Sequence, residues 1–224
     1  MNKTYRTIRS HHTWHSMRRE IEEFIQQCKS CQVNKTLTPR HKAPMEVKTT
    51  AEQPFEKFYL VVVGPLPVTQ EGNKYILTFQ DDLCKYVIAM PITQQDAHTV
   101  ARTFVERVIL TYGTPRILQT DQCASFMSGD FKNTCKILGL RKIQSTAFHP
   151  ELQGRIERSY RMLAEYLRHY VKEDETNWDQ WVHLATYVYN TNEHTATGFT
   201  PYELLFGPPS ILPSALPFIL RHLI

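Results

Sequence analysis

The chain has 224 residues, of which 42% are hydrophobic, enough for one packed domain of ordinary size and a smaller unit. It has no run of eighteen apolar residues and no signal-peptide core, so we expect neither a membrane span nor secretion. Its five scattered cysteines favour reduced thiols in an intracellular protein over a disulfide framework. The formal net charge is +4, and residues 1–50 hold ten Lys and Arg against four Asp and Glu.

Residues 1–35 are predicted to form a small helical unit. Apolar residues at helical spacing indicate one apolar face, made of Trp14, Met17, Ile21, Phe24 or Ile25, and Cys28. The segment ends in Cys28-Lys29-Ser30-Cys31, a spacing that can supply two thiolates to zinc. The basic charge fits either a nucleic-acid-binding arm or a solvated helix with a basic linker.

Residues 36–50 are predicted to be an exposed linker. They contain Pro39 and Pro44 together with several basic residues, and they show no hydrophobic periodicity. The basic side chains either contact phosphates or are simply solvated, and the residue pattern fits both interpretations.

The next segment alternates between strand-like and helix-like patterns, and the order indicates an α/β mixed sheet flanked by helices. Residues Glu71 to Lys74 form a plausible hairpin turn between the first two strands. The predicted strands are 58–63, 75–80, 85–92, 116–121 and 141–146.

Two helices are predicted between these strands. Thr93 and Asp96 suggest a capping box for the first helix, whose apolar positions are Val100, Phe104, Val108 and Tyr112. Gly113 ends that helix, and the second helix runs from about Ser128 to Leu138.

Two further helices follow the last strand. One begins near Gly154 and carries Glu157, with three arginines (Arg155, Arg158 and Arg161) largely off its apolar stripe. Together with Lys142, these arginines either bind a DNA phosphate backbone or solvate an exposed face. The final helix contains Trp178, Trp181, Leu184, Ala185 and Val188, which we expect in the core or on a dimer surface.

Asp121 and Glu157 are separated by thirty-five residues, and each lies where a metal site would need it. Asp121 ends a predicted strand, and Glu157 lies in the first turns of a helix. Two carboxylates can converge on Mg²⁺, which prefers oxygen ligands, and two such ions can clamp the oxygens of an in-line phosphoryl displacement. The alternative is that both are ordinary solvated acids.

Several separated motifs favour the metal site over two ordinary solvated acids. They are Thr120-Asp121-Gln122 with Phe126, His149-Pro150 with Gly154, Glu157 and Arg158, and the segment Thr200-Pro201-Tyr202-Glu203-Leu204-Leu205-Phe206-Gly207. In order and spacing they resemble the integrase core of gypsy-type LTR retrotransposons, which is similar to that of retroviral integrases.

The resemblance implies a ribonuclease H-like core over residues 51–210. It also implies a catalytic triad of two Asp and one Glu, with Asp121 and Glu157 as the second and third members and as ligands for Mg²⁺ or Mn²⁺. The expected activity is metal-dependent phosphodiester cleavage and strand transfer during DNA integration. DNA, a homo-oligomeric assembly and a nuclear location are further implications of the resemblance.

The chain departs from the family pattern at two positions of the core. Val61 stands where the family has the first catalytic Asp, so we expect an impaired or inactive enzyme. Rescue by Asp81 or Asp82 is possible in principle but disfavoured. Cys123 replaces a glycine that is expected to serve either a positive φ or a close backbone approach to a ligand, so it is expected to displace the loop that carries Asp121. The alternatives are a non-catalytic nucleic-acid-binding or multimerising module, and a zinc-knuckle adaptor whose partner is a protein.

The resemblance also covers both ends of the chain. Residues 1–35 are similar to the second half of a histidine-cysteine zinc domain, so Cys28 and Cys31 are expected to form an incomplete Zn²⁺ site. The nearby histidines His11, His12 and His15 are possible but disfavoured substitutes for the missing ligands. Residues 211–224 are expected to be a truncated tail without the C-terminal DNA-binding domain.

Overall fold

The structure is a computed structural model that describes residues 2–9, 12–29, 51–144, 164–165, 167–168, 171, 176–208 and 210. Helices α1 (Asn2–Arg9) and α2 (Met17–Gln27) pack against each other at the N-terminus. The predicted linker (36–50) and the predicted tail (211–224) lie outside the described residues.

The prediction of one buried apolar face on α2 is only partly correct. Met17 and Ile21 are buried, whereas Phe24 is 72% exposed and Trp14 is 42% exposed. The Trp14 indole N–H donates to Glu20 across 2.8 Å, which holds the ring at the start of the helix. The apolar periodicity therefore marks a face wider than the one that the short helix α1 covers.

In the part of the chain that the structure describes, five strands form one mixed sheet in the order β3-β2-β1-β4-β5. Strand β1 pairs antiparallel with β2 and parallel with β4; β2 and β3 pair antiparallel, and β4 and β5 pair parallel. This agrees with the mixed sheet predicted from the sequence. The strands are β1 (Lys57–Val63), β2 (Tyr75–Asp81), β3 (Val87–Ile92), β4 (Ile117–Thr120) and β5 (Arg141–Gln144).

Helices cover both faces of the sheet. Helix α3 (Ala97–Phe104) continues through a π-helical turn (Val105–Ile109) and a last turn (Leu110–Tyr112). It packs with α4 (Ala124–Met127) and α5 (Gly129–Ile137) on the face that contains Phe58, Leu60 and Leu118.

Helix α6 (Trp178–Thr191) covers the opposite face, and its apolar side chains pack with Ile76, Val87 and Ala89 of β2 and β3. Of the residues predicted for the core or a dimer surface, Trp178, Trp181, Leu184 and Ala185 are buried and Val188 is partly buried, so they belong to the core. Asn190 also donates to and accepts from the backbone of Val87, at 2.8 Å each way, which fixes α6 to the edge strand.

Specific capping residues define where the helices begin and end. Asp96 is itself the N-cap of α3 and accepts from the Thr99 backbone N–H across 3.0 Å, so the predicted capping box with Thr93 is wrong. Gly113 follows the last turn with a φ of 91°, which a glycine adopts without strain, and turns the chain toward β4. Helix α7 (Pro201–Phe206) begins at Thr200 with a complete capping box.

Within the described residues, no helix is both long enough and apolar enough to cross a membrane.

Candidate active site

The register between β1 and β4 decides which side chains meet at the site. Leu60 of β1 is aligned with Thr120 of β4, so the next residues along the two parallel strands, Val61 and Asp121, lie at the same level. Neighbouring strands are about 4.8 Å apart. The valine therefore lies beside the carboxylate that ends β4, at a point where a second carboxylate would share a cation with Asp121.

Asp121 is half-buried in the turn between β4 and α4. Its Oδ1 accepts a hydrogen bond from the Cys123 backbone N–H across 3.0 Å. Burial raises the pKa of Asp121 above its ordinary value, while the Cys123 hydrogen bond and the positive charge of Lys142 lower it.

Cys123 does not adopt the conformation that we expected at this position. Its φ is −57° and its ψ is 139°, an extended conformation open to any residue, so this chain does not use here the positive φ that we expected for the family's glycine. The side chain packs against the core beneath the sheet, and Sγ lies 3.7 Å from Ser125 Oγ. The thiol is thus accommodated in the loop that carries Asp121.

The two aspartates proposed as possible substitutes lie at the opposite end of the β1–β2 ladder. Asp81 is aligned with Phe58, three positions from Val61 and therefore about 10 Å away along the strand. Its carboxylate accepts from the backbone N–H groups of Phe55, Leu83 and Cys84 at 2.7–2.9 Å.

Asp82 is completely buried and engaged by other groups. Its oxygens lie 3.3 Å from the ammonium groups of Lys57 and Lys85 and accept from the Tyr59 hydroxyl across 3.1 Å. Because Asp81 and Asp82 are distant and already occupied by these partners, neither replaces the carboxylate missing at position 61.

Lys142 lies on β5, aligned with Leu118 of β4, and its charge acts on Asp121. The Nζ atom is buried and has no hydrogen-bond partner. Burial lowers the pKa of Lys142, the positive charge of Lys132 adds to this effect, and Asp121 opposes it. In this conformation the ammonium group is not presented to solvent, so a phosphate contact requires the side chain to turn outward.

Comparisons with known proteins identify the domains that carry these features. Residues 1–37 match the family described as the integrase zinc binding domain, and residues 53–150 match the integrase core domain. The chain is 38% identical, over 95% of its length, to the Retrovirus-related Pol polyprotein from transposon 412 of Drosophila melanogaster. The chain therefore carries an integrase zinc-binding domain followed by an integrase core domain.

The integrase chain spans only a small part of these curated relatives. It covers 17% of the transposon 412 polyprotein and 16% of the Transposon Tf2-3 polyprotein of Schizosaccharomyces pombe, to which it is 28% identical over 92% of its own length.

Solved structures agree on the fold. The catalytic core domain of BIV integrase matches with a TM-score of 0.55 and 25% identity, over 68% of this chain and 95% of that one. A chain from the structure of a simian T-cell lymphotropic virus intasome in complex with the PP2A regulatory subunit B56 gamma matches with a TM-score of 0.60 and 17% identity. It covers 94% of this chain and 77% of that one. The ribonuclease H-like fold that the motifs implied is thereby confirmed.

The described residues of the integrase do not provide a two-metal site. Asp121 is the one carboxylate at this point of the described sheet, and Val61 has no lone pair to offer a cation. Across the ladder, Val61 is aligned with Thr78, whose hydroxyl oxygen is buried without a hydrogen-bond partner. Among the described residues, the site therefore contains a hydroxyl without an acceptor beside one carboxylate.

Thr78 is the residue that the sequence interpretation missed. It lies in an apolar strand pattern, where a threonine is unremarkable, and nothing in its immediate neighbours indicates a polar role. Its alignment with position 61 follows from the β1–β2 register, which is offset from a simple count back from the turn at Thr69 and Gly72.

Several predicted site residues lie outside the described residues: Glu157, Arg155, Arg158, Arg161, Cys31 and His11. Cys28 is half-buried just after α2, while His12 and His15 are exposed. Among the residues that the structure does describe, no group of three or more His, Cys, Asp and Glu side chains is arranged to hold a metal ion.

Proposed function

We propose that the chain is the integrase unit of an LTR retrotransposon, acting in DNA integration, and that Val61 impairs its phosphodiester cleavage and strand transfer. The alignment of Leu60 with Thr120 carries this proposal, because it brings Val61 beside Asp121. Transfer of a phosphoryl group between oxygens depends on cations that stabilise the developing charge, and such cations need carboxylate ligands. A valine at this point removes one of those ligands.

The proposed cofactor is Mg²⁺ or Mn²⁺ held by Asp121 and Glu157, with weakened occupancy because Val61 contributes nothing. One solved relative is described as the HTLV-2 integrase catalytic core domain in complex with magnesium, in a trimeric form. Another is part of a viral intasome. They support a homo-oligomeric assembly for this chain; DNA as the substrate and a nuclear location belong to the same proposal and rest on the family resemblance alone.

The remaining site residues belong to the proposal as well. Cys28 and Cys31 are proposed as an incomplete Zn²⁺ site at the end of a domain spanning residues 1–35. The proposed DNA contacts are Lys142, Arg155, Arg158 and Arg161. In the described conformation Lys142 would reach a phosphate only after its buried ammonium group turns outward.

A non-catalytic nucleic-acid-binding or multimerising module derived from an integrase is the second candidate. Val61 favours it, because the fold around the position is intact while the ligand is absent. Asp81 and Asp82 favour it further, since both are held by partners at the other end of the ladder. Under this alternative the chain binds DNA or itself without reacting.

The decisive experiment measures end cleavage and strand transfer on labelled double-stranded DNA with Mn²⁺, for the natural chain, Val61→Asp and the uncharged control Val61→Asn. We expect no activity in the natural chain or in Val61→Asn, and measurable activity in Val61→Asp. Activity in the natural chain would overturn the proposed impairment. If Val61→Asp folds and binds DNA but stays inactive, the non-catalytic module is the better description.

A DNA-binding measurement distinguishes both candidates from the third alternative, a protein-binding adaptor. We expect the natural chain to bind duplex DNA with an affinity that falls steeply as salt rises, because phosphate contacts release counterions. A folded chain that shows no affinity for DNA at low salt would instead favour the protein-binding adaptor.

A further inference from the structure

The buried hydroxyl of Thr78 is a feature that the fold alone does not explain. Its Oγ1 is buried and makes no hydrogen bond, although buried hydroxyls ordinarily find a partner. Valine has nearly the same shape and would fill the same space without that cost. The neighbouring polar group on the same face of β2 is satisfied, because the Gln80 amide donates to the Tyr189 hydroxyl across 3.1 Å.

The cross-strand partner of Thr78 is Val61. Directly opposed residues of an antiparallel pair point to the same face of the sheet, with Cβ atoms about 4.5–5.5 Å apart. An aspartate and a threonine at that separation bring their oxygens within hydrogen-bond range, about 2.5–3.0 Å. The hydroxyl is therefore within reach of the one position where the integrase has lost a carboxylate.

We infer that Thr78 is a positioning residue for a carboxylate at position 61, and that Val61 has left its hydroxyl without an acceptor. The Thr78 hydroxyl would donate to one carboxylate oxygen and so restrict the side-chain rotamer. The other oxygen would then be free to face Asp121 and a shared cation. This inference rests on the proposed function only for the role of the carboxylate; the hydrogen bond itself is a property of the fold.

The test is a double-mutant cycle of four full-length proteins: the natural chain, Val61→Asp, Thr78→Val and the double variant. The unfolding equilibrium of each is measured in urea at pH 7 with EDTA. In the natural chain, Thr78→Val should leave the unfolding equilibrium constant unchanged or lower it, because it removes an unpartnered hydroxyl. In the Val61→Asp background the same change should raise that constant about tenfold, the effect of losing a hydrogen bond to a charged group.

A conservative variant separates the hydroxyl from the shape of the side chain. In the Val61→Asp background, Thr78→Ser keeps the hydroxyl and should retain most of the coupling that Thr78→Val removes. If Val61→Asp does not fold, Val61→Asn offers a neutral acceptor at the same position, and the same reversal of sign is expected with smaller amplitude. Equal effects of Thr78→Val in both backgrounds would overturn the inference.

Metal binding gives an independent readout. The unfolding midpoint of Val61→Asp should rise on addition of Mn²⁺, and Thr78→Val should reduce that rise while Thr78→Ser preserves it. Coupling without any Mn²⁺ response would support the role of Thr78 and count against the proposed metal site. A Mn²⁺ response that Thr78→Val leaves unaltered would support the proposed metal site and count against the role of Thr78.

Discussion

The β1–β2 ladder has two ends that treat their buried polar groups in opposite ways. At the aspartate end, Asp81 and Asp82 are surrounded by backbone N–H groups, two lysines and a tyrosine hydroxyl. At the valine end, formed by Val61 and Thr78 with Asp121 beside them, a hydroxyl lies buried without a hydrogen bond.

The difference distinguishes polar groups that stabilise the fold from polar groups that would contact a ligand. Folding stability favours complete pairing of buried charges, and the aspartate end meets that requirement. An end built to receive a ligand leaves its groups to be satisfied by that ligand. Under the proposed function, loss of one carboxylate from such an end lowers activity first and stability little, which fits the intact strand pairing around Val61.

The largest expected effect is at the aspartate end. Asp82→Ala leaves the ammonium groups of Lys57 and Lys85 buried without their shared anion, so we expect the free energy of unfolding to fall by about 3–5 kcal/mol. Urea unfolding measures this change. The matched control is Glu106→Ala, which breaks the exposed Arg102–Glu106 pair and should cost less than about 1 kcal/mol.

A similar cost for both variants would contradict the comparison, because it would mean that the buried pairs at the aspartate end contribute no more than a surface ion pair.

Removal of the buried ammonium group of Lys142 on β5 should change the free energy of unfolding in the opposite direction. Lys142→Met replaces a buried ammonium group that has no hydrogen bond with an apolar side chain of similar length, and we expect it to stabilise the chain by about 1 kcal/mol. Lys136→Met, at an exposed position of α5, is the control and should change stability by less than about 0.5 kcal/mol.

The pH dependence gives Lys142→Met a second signature. Because the pKa of Lys142 is lowered in the folded state, the unfolded chain binds more protons between the folded and unfolded pKa values. Stability of the natural chain therefore rises as pH increases through that window, and the advantage of the methionine should shrink there. An advantage that is constant up to high pH would contradict the desolvation account.

Asp121→Asn should produce a smaller effect with the opposite dependence on pH. Burial raises the pKa of Asp121 in the folded state, so the folded chain binds more protons between the unfolded and the folded pKa values. The stability of the natural chain then falls as pH rises through that window. Asparagine keeps the oxygen that accepts from Cys123 and loses this dependence.

Unfolding in urea with EDTA, repeated from pH 3 to pH 8, measures the difference between Asp121→Asn and the natural chain. We expect the two chains to differ least at the acid end and Asp121→Asn to be the more stable one at pH 8. A natural chain that becomes the more stable one as pH rises would show that Asp121 is already compensated by a cation from the protein.

The sequence predicted the parts of this site that depend on short segments. Hydrophobic alternation indicated the strands, and motif order aligned Val61 and Asp121 with the family pattern, which the β1–β4 register then made adjacent. Three features escaped it because they depend on distant neighbours. The exposure of Phe24 depends on which residues cover α2. The unpartnered state of the Thr78 hydroxyl depends on the β1–β2 register, and the φ of Cys123 depends on how its loop enters α4.

The smallest expected effect comes from restoring glycine at position 123. Because Cys123 has a negative φ, glycine gains no conformational relief there; it adds freedom to the unfolded chain and loses the contacts of the thiol. We therefore expect Cys123→Gly to destabilise the chain by about 0.5–1 kcal/mol, with Cys123→Ala, which keeps the backbone restriction, closer to the natural chain.

The same substitution tests whether the Cys123 loop or position 61 limits the chemistry. In the Val61→Asp background, Cys123→Gly should leave the rate of strand transfer unchanged, because the loop already holds Asp121 through the Cys123 backbone N–H, which any residue at that position retains. A clear gain in rate with glycine would mean that the thiol obstructs DNA or metal at the loop. The loss of activity would then have two causes, Val61 across the sheet from Asp121 and Cys123 along the chain.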